Sequence, residues 1–180
     1  LDVAKETAID FVRARTSDRI GLVSFAGQAL TQVPVTSDYA VLEAAIRDLH
    51  IGALEDGTAI GTAIATAANR LRRAQGKSRV VILLTDGVNN RGTVDPRTAA
   101  RAASAFGVRI YTIGVGTEGE APVPTGQGGQ GLRYQMLPVQ IDEQLLTEVA
   151  TSTGGRYFRA TDSESLRHIF AEINGLEKTT

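Results

Sequence analysis

Five consecutive aliphatic residues, Val80 to Leu84, constrain the fold more than any other feature of the sequence. An unbroken apolar run of this length is typical of a strand that is buried on both faces, as strands of a parallel sheet are. The run continues into Thr85, Asp86 and Gly87. We therefore predict that residues 78–85 form a central strand, with a carboxylate just beyond its end.

Further apolar runs and amphipathic patterns of helical spacing alternate along the rest of the chain. Strands are predicted at residues 20–25, 29–35, 108–115 and 156–160. Helices are predicted at residues 1–12, 39–49, 59–73, 96–106, 142–149 and 163–173. Such alternation indicates an α/β fold with a three-layer, doubly wound, mostly parallel sheet. We interpret residues 1–180 as a single domain.

Two segments depart from that regular alternation. The predicted strand at residues 29–35 contains Pro34, which restricts it to a sheet edge, and its short link to residues 20–25 allows an antiparallel pairing. Residues 114–131 are rich in glycine and contain Pro122 and Pro124. We expect this second segment to be a mobile loop or the tip of a hairpin.

Charge and composition exclude several functional classes. The net charge of −1 gives no basis for binding nucleic acid or an anionic membrane. With no cysteine in the chain, there is no thiol nucleophile, and no serine lies in a nucleophile elbow. The G-x-G-x-x-G pattern at residues 114–119 follows a predicted strand but precedes no helix, so it lacks the helix N-terminus that binds a phosphate. We expect a binding protein and no enzyme.

The strongest candidate site lies where ligands bind in open α/β sheets, beyond the carboxyl ends of the strands. Asp86 follows the strand at residues 78–85, and Thr58 precedes a predicted helix. Each has a simpler interpretation, since Thr58 is a suitable N-cap residue and Asp86 a suitable turn residue. The candidate partner-binding face comprises these residues: Asp56, Gly57, Thr58, Asp86, Gly87 and Asn89.

These two segments together resemble the von Willebrand factor A (VWA) domains. In that family, a metal-ion-dependent adhesion site combines an Asp-x-Ser-x-Ser motif, a Thr before a helix and an Asp at the end of a later strand. Thr58 matches the second part and Asp86 the third. Four longer segments, together with residues 154–160, resemble the bacterial aerotolerance (Bat-type) membrane proteins: residues 19–27, 55–61, 83–90 and 111–117.

The resemblance implies protein–protein recognition through a bound Mg²⁺ or Mn²⁺ that accepts a carboxylate from a protein partner. It also implies a parent protein in the bacterial inner membrane, with this domain exposed to solvent, on the periplasmic side by preference. The partners it implies are other Bat-type proteins and an ATPase of the MoxR type. A metal-free scaffold that assembles a membrane complex is the alternative function.

The family's first motif is missing, because no Asp-x-Ser-x-Ser occurs in the sequence. The chain begins in the helix that follows that motif, so we expect five of the family's six strands. Thr58 and Asp86 alone would bind Mg²⁺ weakly or not at all, since the ion prefers six oxygen ligands. We also expect unpaired backbone on the strands at residues 20–25 and 80–84, to be satisfied by a neighbouring chain's strand or by direct closure.

Overall fold

The computed structural model describes residues 2–15, 20–25, 29–49, 59–73, 79–85, 94–115, 120–128, 131–138 and 141–178. The helices are α1 (Asp2–Ala14), α2 (Tyr39–Arg47), α3 (Ile60–Arg72), α4 (Pro96–Ala105), α5 (Glu143–Thr151) and α6 (Ser163–Lys178). The strands are β1 (Ile20–Phe25), β2 (Ala29–Thr36), β3 (Arg79–Thr85), β4 (Val108–Val115), β5 (Glu120–Gly128), β6 (Gly131–Pro138) and β7 (Tyr157–Ala160).

A parallel sheet of three strands, in the order β3-β4-β7, forms the centre of the fold. Its middle strand is β4, in which Ile110, Thr112 and Ile113 are fully buried. Within the described residues β3 is an edge strand and not a central one, since it pairs on one side only. This one-sided pairing agrees with the expectation of unpaired backbone at residues 80–84. Because one edge of β3 has no described partner, most of its residues are only half-buried.

The strands β1 and β2 form a separate antiparallel pair. The antiparallel pairing and the edge position of β2 were both predicted from the sequence. The strand β1 is only partly buried, since Ile20, Leu22 and Val23 are half-buried and Gly21 is exposed. Direct closure of β1 onto β3 does not occur, because the two strands belong to different sheets of the described structure.

Helices cover both faces of the central sheet. One core joins α3, α4 and α5 to the face of the sheet that carries Leu83 and Ile110. A second joins α6 to the opposite face at Tyr111 and Ile113. Phe11 of α1 packs against this second core, while other residues of α1 pack on β1, β2 and α2. The predicted α/β, three-layer architecture is confirmed.

Short-range signals place the helix ends. The carboxylates of Asp38, Asp95 and Asp142 accept hydrogen bonds from backbone N–H groups in the first turns of α2, α4 and α5. Gly107 ends the α4 segment with φ = 74°, a left-handed conformation that favours glycine. No described helix has both the length and the apolar character that crossing a membrane requires.

The segment expected to be a mobile loop or hairpin tip is longer and more regular than the sequence indicated. It forms an antiparallel hairpin in which β5 pairs with β6 from Glu120↔Pro138 to Gly128↔Gly131. The hairpin alternative is therefore confirmed, whereas the strand at Gly131–Pro138 was not predicted. Five strands were expected in the main sheet, and the structure has those five as two ladders, with the hairpin additional.

Candidate partner-binding face

The six residues predicted to form the partner-binding face lie outside the described residues. They are Asp56, Gly57, Thr58, Asp86, Gly87 and Asn89. Their neighbours along the chain are described, and these neighbours fix where each of the two loops enters or leaves the fold. The positions of those neighbours define the part of the fold that flanks the predicted face.

Thr85 fixes the start of the loop that carries Asp86. It is the last residue of β3, its exposed fraction is 6%, and it pairs with Gly114 of β4. Because β3 and β4 are parallel, their carboxyl ends lie at the same edge of the sheet. β3 therefore ends at the carboxyl edge, where the sequence rule for open sheets places a ligand, and Asp86 is the next residue in the sequence.

Ala59 and Ile60 fix the end of the loop that carries Thr58. Both have an exposed fraction of 0%, so this loop enters α3 at a fully buried corner. The N-cap position of α3 is Ala59, which makes no side-chain capping bond. Thr58 itself lies outside the described residues, so its interpretation as a capping residue stays a prediction.

Gly61, in the first turn of α3, packs closely against the backbone of Val94. A Cβ atom at this position would lie 2.0 Å from the carbonyl oxygen of Val94 and 2.9 Å from the backbone nitrogen of Pro96. Val94 is the first described residue after the loop that carries Asp86. The end of one candidate loop therefore packs, backbone against helix, on the end of the other, and only glycine allows this approach.

A polar cluster at the same edge was not predicted. Arg159 of β7 pairs with Gly114 of β4 and lies in the same row of the sheet as Thr85. Its Nη1 donates a 2.7 Å hydrogen bond to Oε1 of Glu143, which also accepts a 3.1 Å bond from the Tyr157 hydroxyl. The sequence did carry a signal, since Tyr157 and Arg159 are two apart on one strand and so share a face.

The cluster has a distinct electrostatic character. Burial raises the pKa of Tyr157, and the hydrogen bond to the Glu143 carboxylate raises it further. The Nε atom of Arg159 is buried and has no hydrogen-bond partner among the described residues. Gly114 allows the cluster to pack closely, since a Cβ there would lie 3.0 Å from the Tyr157 hydroxyl.

Within the described part of the chain, metal-ligating side chains do not cluster. There, no group of three or more His, Asp or Glu residues is arranged to hold an ion. His168 is exposed on α6, with Nε2 3.8 Å from Oε1 of Glu164. His50 lies outside the described residues.

Two solved bacterial structures are similar to this chain in fold and sequence. The crystal structure of the conserved hypothetical protein BatB from Bacteroides thetaiotaomicron superposes with a TM-score of 0.80 at 30% identity, covering 98% of this chain and 88% of that one. An aerotolerance-related membrane protein from Bacteroides fragilis gives 0.78 at 29% identity, with 95% and 86% covered. The predicted resemblance to Bat-type proteins is confirmed.

A UPF0353 protein of Nocardia farcinica is 31% identical over 94% of this chain and 54% of its own length. The chain thus spans about half the length of the curated relatives it matches. The family model of the von Willebrand factor type A domain matches residues 2–172. With the fold, the order of elements and the sequence in agreement, the chain belongs to the von Willebrand factor type A domain family.

Proposed function

We propose that this chain is a protein-recognition module that binds its partner at the carboxyl edge of β3 and β4, where the loops carrying Thr58 and Asp86 adjoin. The contact between Gly61 and Val94 carries the proposal, because it joins the flank of one loop to the flank of the other. Its partner-binding face comprises the six residues Asp56, Gly57, Thr58, Asp86, Gly87 and Asn89. The role is binding, without catalysis, and residues 1–180 act as one domain.

Thr58 and Asp86 fit a divalent ion by the chemistry of their donors. A hydroxyl and a carboxylate are the hard oxygen ligands that Mg²⁺ and Mn²⁺ prefer. The ion, when bound, supplies an open position for a carboxylate of the partner.

Two protein ligands leave most of the coordination of such an ion to water, so binding by this chain is weak. Mg²⁺ gives up its water reluctantly and demands near-octahedral geometry, which two side chains do not impose. The affinity of the partner therefore depends on the protein–protein contacts around the ion as well as on the ion itself. Asn89 and Asp56 are the polar residues of the face that make these contacts.

The relatives support a proposed biological setting for the parent protein. One structural neighbour is an aerotolerance-related membrane protein, and the chain spans about half of its curated relatives. We place the parent protein in the bacterial inner membrane, with this domain exposed to solvent on the periplasmic side. Its partners in this proposal are other Bat-type proteins and an ATPase of the MoxR type, one of which offers the carboxylate.

Paramagnetic broadening by Mn²⁺ tests the ion site without knowledge of the partner. In ¹H–¹⁵N spectra, substoichiometric Mn²⁺ should broaden the amide signals of Thr85 and Ala59 first, because these residues adjoin Asp86 and Thr58. Asp86→Asn should remove this broadening. Asp10→Asn is the matched control, since it removes the same charge from an exposed position of α1.

The outcomes separate the candidate functions. Loss of broadening in the Asp86 variant alone supports an ion-dependent binding face. Broadening that is equally strong in both variants contradicts the assignment of Asp86. No selective broadening in any of the three proteins would favour a metal-free scaffold that assembles a membrane complex.

A further inference from the structure

The hairpin of β5 and β6 stands apart from the other strands. Among the described residues it forms a sheet of its own, with pairing only between its two strands. A two-stranded sheet is marginally stable in water, and a third or fourth strand adds the stability that it lacks. Each strand of the hairpin therefore has an outer edge whose backbone groups need a partner or water.

Prolines make the two outer edges unequal. In the register, Pro122 pairs with Met136 and Pro124 pairs with Tyr134. A proline has no N–H to donate, so these pairs must be the ones that exchange no hydrogen bonds within the hairpin. The nitrogens of both prolines consequently face the outer edge of β5, which is blocked at two alternate positions.

The outer edge of β6 keeps its N–H donors from residue 132 to residue 136 and loses the next one at Pro138. By the same alternation, Tyr134 and Met136 direct their N–H and C=O groups away from β5, whereas Gln135 directs its groups toward it. Leu132, two residues before Tyr134, belongs to the same outward set. The hairpin thus has one edge that can accept a strand and one that cannot.

We propose that β6 pairs in antiparallel fashion with β6 of a second copy of this chain, about a twofold axis through Tyr134. The pairing extends two two-stranded hairpins into one four-stranded sheet. Because the prolines block the other edge of each hairpin, the assembly closes at two copies and does not grow into a fibre. A hairpin with one open edge and one blocked edge favours a closed dimer over an open-ended assembly of strands.

The sequence of β6 is compatible with pairing to itself. About an axis through Tyr134, Leu132 lies opposite Met136 of the partner subunit and Arg133 lies opposite Gln135 of the partner subunit. No like charges face each other, which would otherwise destabilise an antiparallel pair. Each outward N–H between residues 132 and 136 then donates a hydrogen bond to a C=O of the partner subunit. Every outward donor in this stretch of β6 is therefore paired.

Concentration-dependent hydrogen exchange locates the interface. Sedimentation equilibrium of the whole chain should show a monomer–dimer equilibrium. Exchange at the Tyr134 and Met136 amides should slow as the dimer fills, while exchange at Gln135, already bonded within the hairpin, should change little. Dimerisation that instead protects amides of β1 or β3 would overturn the proposal, because it would place the contact at the open edges of the other two sheets.

A matched pair of variants isolates the backbone donor. Met136→Pro and Met136→Ala remove the same side chain, but only proline removes the outward N–H. The alanine variant should dimerise and the proline variant should remain monomeric, with Gln135 still protected in both as evidence of an intact hairpin. Equal dimerisation by both, or a wild-type chain that stays monomeric at every concentration tested, would overturn the proposal.

Restoring donors to the blocked edge gives the opposite result. The double substitution of Pro122→Ala and Pro124→Ala supplies outward N–H groups to β5. Light scattering should then detect assemblies larger than a dimer, since both edges of each hairpin can pair. A double variant that still stops at two copies would show that the prolines do not limit the assembly.

Discussion

Gly61 and Val94 approach so closely that a Cβ atom on residue 61 would lie 2.0 Å from the Val94 carbonyl oxygen. This contact lies at the amino end of α3, between the two loops that carry the candidate ion ligands. A substitution at residue 61 therefore tests what this contact contributes to stability and, on the proposed function, to ion binding.

Gly61→Ala should destabilise the fold, because the added methyl group meets backbone atoms that cannot turn aside. The cost should reach or exceed the 1–3 kcal/mol that is typical of overpacking, roughly that of a large core substitution. Urea unfolding, followed by circular dichroism, gives this difference. In Mn²⁺ titrations the residual folded variant should also lose selective broadening, because α3 shifts away from Val94.

Gly175→Ala is the control for that prediction. Gly175 lies within α6, and a Cβ there meets no atom within 4 Å. Alanine is the better helix former, so this substitution should stabilise the chain by about 1 kcal/mol or less. If both glycine variants changed the unfolding midpoint in the same direction, the steric account of Gly61 would be wrong.

The carboxyl group of Asp162, just before α6, should make the free energy of unfolding depend on pH. Hydrogen bonds from the Ser165 backbone N–H and then from its side chain lower the pKa of Asp162. A carboxyl whose pKa is lower in the folded state stabilises at pH values above its unfolded pKa of about 3.9, and this contribution disappears as the pH falls through the folded value. Asp162→Asn cannot titrate, so its difference from the wild type should shrink on acidification. A difference independent of pH would contradict this assignment.

The polar cluster should be visible in a spectrophotometric titration of tyrosine. Burial and the Glu143 carboxylate raise the pKa of Tyr157, so its neutral form stabilises the fold at low pH, and this contribution is lost as pH rises through the folded pKa. Glu143→Gln should lower the titration midpoint of Tyr157, with Tyr157→Phe identifying its signal. Glu148→Gln, which alters the same helix at a residue paired with Arg97, should leave that midpoint unchanged.

A buried hydroxyl should prove more costly to remove than an exposed one. Thr112 is fully buried, and its Oγ1 donates a 2.8 Å hydrogen bond to the Leu146 carbonyl oxygen. Thr112→Val removes this buried hydrogen bond and should cost about 1 kcal/mol. Thr147→Val removes an exposed hydroxyl that donates within α5 and should change stability by less than about 0.5 kcal/mol. Thermal unfolding of the two variants gives the comparison.

Local signals in the sequence were sufficient to place most elements of the fold. The apolar run in β4 and the Asp95-Pro96 start of α4 each depend on residues close in the chain, so they could be identified without a structure. The hairpin strand at Gly131–Pro138 could not be identified in the same way. Its partner strand contains two prolines, which count against a strand until the register shows that their nitrogens face outward.

The position of β3 at an edge depends on long-range pairing that periodicity does not report. An unbroken apolar run such as Val80–Leu84 indicates burial, but burial by helices on two faces says nothing about which strands lie alongside. The cluster of Glu143, Tyr157 and Arg159 was missed for a similar reason, because it joins a helix to a strand through side chains alone. Prediction of Thr58 and Asp86 rested on motifs, and their roles stay a proposal.

The separation of the β1–β2 ladder from the β3-β4-β7 sheet has a consequence for how the molecule opens. No described backbone hydrogen bond joins the two ladders, so side-chain packing, including that of α1, holds them together. Units coupled only by packing can unfold one at a time, as independent foldons. The β1–β2 unit should therefore exchange its amide protons with solvent at a lower free energy than β4, which remains protected until the whole chain unfolds.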